Sequence, residues 1–100
     1  MLNLTNELVP DSVISKLIQT CKSKAFEKVE SEVEALIAEG FAANQILLQL
    51  HTEIVNDAAM EELAKANILM AIGEADKCLI DGADELLQLL SVASTMCKAL

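Results

Sequence analysis

The chain has 100 residues, 53% of them from the set Ala, Val, Ile, Leu, Met, Phe, Trp, Tyr and Cys but only 2% aromatic, and a formal charge of -9. One domain of this length buries a single core without metals or disulfides, and a core of Leu, Ile, Val, Ala and Met favours helix over strand. All seven basic residues are lysines, so direct nucleic-acid contact, which leans on an attractive field and forked donors, is not expected, and an arginine finger is excluded.

The first residues, Met1 to Glu7, have neither a basic start nor an apolar run, so no signal or transit peptide is expected, and residues 1–8 are read as flexible. Val9-Pro10-Asp11 then opens a helix over about residues 10–22, with Val13, Ile14, Leu17, Ile18 and Cys21 on one stripe. Ser23 is the expected cap of a second helix, whose face carries Phe26, Val29, Val33, Leu36 and Ile37, and Gly40 ends it in a left-handed conformation with Phe41 folding back on Leu36. A third helix, Ala42 to Asn56, turns Ala43, Ile46, Leu47, Leu50 and Ile54 to one side.

Asp57 is the expected cap of the fourth helix, which runs to about Asp81 through Met60, Ala64, Ile68, Ile72, Ala75 and Leu79. Gly73 inside it costs about 1 kcal/mol relative to Ala and marks a point where the helix can kink or break. After Gly82 a fifth helix carries Leu86, Leu89, Leu90, Ala93, Met96 and Cys97, with Asp81 and Asp84 favouring its N-terminus. No segment alternates with a two-residue period, and none approaches the ~18 apolar residues of a membrane span. Connections of about one to three residues force neighbouring helices together, so the expected fold is all-α, a five-helix bundle with short loops.

Chemistry-bearing residues are sparse. Cys21, Cys78 and Cys97 stand far apart among apolar helical positions and read as buried thiols in a reducing compartment. Lys16, Lys22, Lys24 and Lys28, interrupted by Glu27 and Glu30, read as a solvated, salt-bridged face rather than a phosphate patch. His51 is the only histidine and has no Cys or second His at ligand spacing, so it reads as a packed or surface imidazole. Three glycines cannot build a phosphate loop. Aligning Gly82 with the sixth position of a calcium loop puts Lys77 and Leu79 where oxygen ligands belong, and no serine follows an aspartate there to carry a prosthetic arm.

The apolar surplus is more informative. Beyond their main stripes the last three helices carry Leu48 and Val55, Leu63 and Met70, and Leu87. These side chains need cover, either from other helices of the bundle or from a partner, and they are the candidate subunit-interface residues.

The run Glu74-Ala75-Asp76-Lys77-Cys78-Leu79-Ile80-Asp81-Gly82-Ala83-Asp84-Glu85-Leu86-Leu87-Gln88-Leu89 resembles the end of a small subunit of eukaryotic replication factor C, the loader of the sliding clamp. Upstream, Val9-Pro10, Cys21-Lys22-Ser23, Phe26 to Glu30, Leu36 to Gly40, Ala42-Ala43 and Gln49-Leu50-His51 resemble the same C-terminal region in the same order. The similarity spans about residues 8–98 and is weakest from Asp57 to Ala71.

The resemblance implies that residues 1–100 are a single collar domain of an AAA+ ATPase subunit, one that oligomerises while its ATPase domains lie outside this chain. It further implies a nuclear protein whose partners are other clamp-loader subunits, with the sliding clamp and DNA engaged only through the rest of the parent protein. No cofactor is expected in this chain, ATP and Mg belonging to the parent. The alternative is a freestanding helical adaptor that takes an amphipathic partner helix in a groove.

Overall fold

Pro10 opens the first helix by accepting at its carbonyl the amide hydrogens of Val13 at 2.9 Å and Ile14 at 3.3 Å. In the computed structural model, which describes residues 8–100, five α-helices follow: α1 (Asp11–Lys22), α2 (Phe26–Ala38), α3 (Ala43–Asn56), α4 (Glu62–Ile80) and α5 (Glu85–Ala99). No strand occurs among the described residues, so the all-α expectation holds. The flexibility expected of residues 1–8 falls almost wholly outside the described residues. Within them, Leu8 is exposed and Val9 is buried.

Each helix buries most of the stripe its spacing indicates, with Leu79, Leu86 and Leu90 only half-buried and Val92, which the expected stripe omitted, fully buried. Ile14, Leu17, Ile18 and Cys21 of α1 meet Val29, Val33 and Leu36 of α2, Ile46, Leu47, Leu50 and Ile54 of α3, Ile68 and Ile72 of α4, and Leu89, Val92 and Met96 of α5 in one core. Full burial of each large side chain stabilises by about 1.5 to 3 kcal/mol. Among the described residues no polar or charged residue is buried. Phe26 is an exception to its stripe: at the first turn of α2 its ring stays partly exposed.

Two turns follow the sequence closely. Gly40 (φ 95°) closes α2, with Gly40 N–H donating to Ile37 O at 3.0 Å and Phe41 N–H to Leu36 O at 3.2 Å. Gly82 (φ 96°) repeats that pattern after α4. Asp84 caps α5, its Oδ2 accepting from Leu87 N–H at 2.9 Å.

Elsewhere the expectations need correction. Ser23 does not cap α2; its hydroxyl donates back to Thr20 O at 2.6 Å and it closes α1. Asp57 does not cap α4, which starts at Glu62. Its Oδ1 accepts from Ala59 N–H at 3.0 Å in a local turn. The link Ser23–Ala25 has the expected length, whereas Glu39–Ala42, Asp57–Glu61 and Asp81–Asp84 are longer than expected. Gly73 does not break α4, which is continuous through it.

Long-range polar contacts tie the ends of the bundle. Gln49 of α3 grips the Val9 peptide from both sides, accepting its N–H at 2.9 Å and donating to its carbonyl at 2.7 Å. Lys24 Nζ donates to Cys97 O at 2.7 Å and Lys98 O at 3.4 Å, satisfying carbonyls at the C-terminus of α5.

Candidate functional site

An α-helix has about 3.6 residues per turn, so residues seven apart share a face. Leu48 and Val55 therefore stand two turns apart on one rim of α3, and Leu63 and Met70 two turns apart on α4. Both rows lie off the buried stripes of their helices. All five candidate interface residues are exposed: Leu48 60%, Val55 46%, Leu63 67%, Met70 71% and Leu87 63%. The other helices of the bundle do not cover them.

The packing of α3 on α4 leaves a hollow of about 300 Å3 lined by Leu47, Leu48 and His51 on one side and Leu69, Ile72, Gly73 and Asp76 on the other, with Asn44 at one end. A second hollow, about 590 Å3, continues from Asn44 and Asp76 past Leu79 and Ile80 to Ala83 and Glu85. Here Glu85 Oε1 accepts from Ala43 N–H at 3.4 Å, joining the start of α5 to the start of α3. Met70 lines a separate hollow with Asn67, Ala71, Thr95 and Lys98 between α4 and α5. Leu48 and Val55 thus share the α3 rim, Leu63 and Met70 share α4, and Leu87 stands on a third helix.

Ile80, at 78% the most exposed of the large apolar side chains, escaped the sequence reading. Its signal lay in the seven-residue spacing: counting back from Ile80 gives Gly73 and then Ala66, a small-residue row with an aliphatic end on the outside of α4.

The titratable groups are dispersed. His51 is an exposed imidazole on the α3 side of the first hollow. The four lysines are exposed; Lys22 Nζ stands 3.9 Å from Asp57 Oδ2, and Lys24 reaches α5. Cys21 and Cys97 are buried, whereas Cys78 is only partly so. Burial, then the neighbouring Cys97 and Glu32, pushes the Cys21 thiol up to about 12, so it stays protonated and inert. Among the described residues no group of three or more His, Cys, Asp or Glu is gathered for a metal ion, and no helix is long and apolar enough to cross a membrane. What the arrangement offers is apolar contact area with carboxylate, amide and imidazole groups on its rim.

Comparison with known proteins gives this surface a context. The profile described as the replication factor C C-terminal domain matches residues 9–95. Replication factor C subunit 2 of Oryza sativa subsp. japonica is 45% identical over 92% of the chain. Replication factor C subunit 4 of Arabidopsis thaliana is 43% identical over 100% of it, and that of Homo sapiens 40% identical over 93%. The chain spans only 27%, 30% and 25% of the lengths of these three relatives. The resemblance in the residues points to the small subunit numbered four; these relatives carry the numbers two and four, and the number itself is not decided by them.

Proposed function

The chain belongs to the replication factor C C-terminal domain family, and we propose from that premise that it is the subunit-assembly domain of a sliding-clamp loader acting in DNA replication. It holds a heteropentamer together in the nucleus while ATPase domains outside this chain, using ATP and Mg, open the clamp and load it on primer-template DNA. Residues 1–100 act as one collar domain. The partners are the other clamp-loader subunits, and the clamp and DNA are reached through the rest of the parent protein.

The observation that carries this reading is the set of uncovered apolar side chains on three helices, Leu48 and Val55, Leu63 and Met70, and Leu87, on a domain that buries a core of its own. Such side chains stay in water only at a cost that a partner surface removes. The strong net negative charge and the lack of arginine fit a domain that touches protein rather than phosphate.

The test is native mass spectrometry of the purified chain mixed with the other replication factor C small subunits from the same source. Stoichiometric complexes are expected. A folded chain that stays alone, and still stays alone when joined to the ATPase domains of its subunit, overturns the reading.

A further inference from the structure

We propose that the trough between α3 and α4 seats a lysine-bearing amphipathic helix supplied by a partner protein. This deepens the subunit-assembly reading and rests on it for the source of the helix. The shape comes first. The two hollows share Asn44 and Asp76, so they lie end to end as a trough in two parts, whose α4 wall carries lining residues from Leu69 to Ile80. Eleven steps of helix rise make that wall about 16 Å long, roughly three turns, the length covered by a partner helix with apolar residues at i, i+4, i+7 and i+11.

Gly73 explains why the trough is open. A Cβ there would meet nothing within 4 Å, and its φ is not among the positive values of the chain. Neither internal packing nor backbone conformation therefore requires a glycine, although glycine weakens the middle of a helix. The missing side chain keeps the floor clear for something from outside.

Charge then selects the occupant. The charged side chains lining the trough are Asp76 and Glu85, with Asn44 and His51 beside them, and no lysine lines either hollow. A helix with leucines on one face and lysines along its flanks satisfies both the apolar floor and the carboxylate rim. A second copy of this chain fits poorly. Lys65 and Lys77 stand beside its exposed α4 residues Leu63 and Met70, but so do Glu62 and Glu74, and a chain of net charge -9 repels its own copy.

The probe is a capped peptide of about 18 residues with leucines on one helical face and lysines on its flanks. Its controls are the same peptide with glutamates on the flanks and a scrambled lysine peptide lacking an apolar face. Binding to the isotope-labelled chain is followed by anisotropy and by amide shifts. The lysine helix is expected to bind about tenfold tighter than either control, with shifts concentrated at Leu47, Leu48, His51, Leu69 and Gly73. Gly73→Gln, whose Cβ meets open space, is expected to weaken binding about tenfold with helicity retained, and Asp76→Lys to reverse the preference between lysine and glutamate helices. Equal binding of the scrambled peptide, shifts on another face, or native affinity in Gly73→Gln overturns the proposal. So does a peptide-free dimer that protects those same amides, since the occupant is then a second copy. Association with sister subunits that is untouched by Gly73→Gln and Asp76→Lys fails the trough and leaves the assembly reading standing. Peptide seated in the trough of a chain that ignores those subunits fails the assembly reading alone.

Discussion

Leu47 and Leu48 are chain neighbours with opposite surroundings, 1% and 60% exposed, and truncating each to alanine separates folding from assembly. Leu47→Ala removes atoms from the core between α3 and α4 and should cost about 2 to 5 kcal/mol, lowering Tm by about 10 °C or more. Leu48 keeps only a minority of its surface from water. Full burial of a leucine contributes about 2 kcal/mol, and alanine recovers a few tenths in helix propensity, so Leu48→Ala should cost about 1 kcal/mol at most and shift Tm by about 8 °C or less. Against sister subunits the order reverses. A leucine buried at an interface typically costs about 1 to 2 kcal/mol on truncation, a rise in Kd of about five- to thirtyfold, and Leu48→Asp or Leu87→Asp should be worse because an unpaired carboxylate is buried as well. Circular dichroism melts and titration calorimetry with the partner subunits measure the two effects. A fall in Tm for Leu48→Ala as large as that for Leu47→Ala would put Leu48 in the core and refute the argument, and native affinity in Leu48→Asp would remove it from the interface.

Three further outcomes are expected. Gly73→Ala should raise Tm by about 4 to 8 °C, because the added methyl group meets open space and the helix gains about 1 kcal/mol; a lower Tm would mean that the glycine serves the fold. Lys24→Met should cost about 1 to 2 kcal/mol by stripping a charged donor from the carbonyls of Cys97 and Lys98, with faster amide exchange in the last turn of α5, and unchanged exchange there would count against the contact. Thiol labelling of the native chain should modify Cys78 well before Cys21 or Cys97. Since burial raises the Cys21 pKa from 9.0 to about 12, the folded state holds its proton longer than the unfolded state. Its contribution to stability is intact below about pH 9 and falls as pH rises toward 12, which melts over that alkaline range would register.

Periodicity made the five helices readable because each buries a single stripe, and Gly40 and Gly82 marked two helix ends because only glycine enters the left-handed region without strain. Lys24 broke the second rule. It adopts φ 65° without being glycine, and its compensation, the contact with α5, joins residues 73 positions apart that no local pattern connects. Ser23 and Asp57 misled for a related reason: a short polar side chain before a helix can serve the preceding turn as well as the following one, and spacing does not decide between them. The grip of Gln49 on Val9 was equally invisible, being set by how α3 lies against the start of the chain. For the candidate surface, leucines off the stripe could be named one by one from the sequence. The trough could not, because its existence depends on the gap between α3 and α4.

The division of labour among the helices follows from how many sides each must satisfy. α1 carries its buried residues on one stripe, and beyond Phe26 so does α2, with polar residues over the rest. α4 cannot be written that way. Ala64, Ile68, Ile72 and Ala75 face the core, while Leu63, Met70 and Ile80 lie outside and Leu69 is half-buried between them. A helix apolar on more than one side is stable in water only while its outer face is interrupted, and here Lys65, Glu74, Asp76 and Lys77 interrupt it. Removing those charges would favour indiscriminate association, whereas removing Leu63 or Met70 would leave an ordinary surface helix. The mixture is what a face needs if it is to remain soluble alone and still lose water to a matched partner.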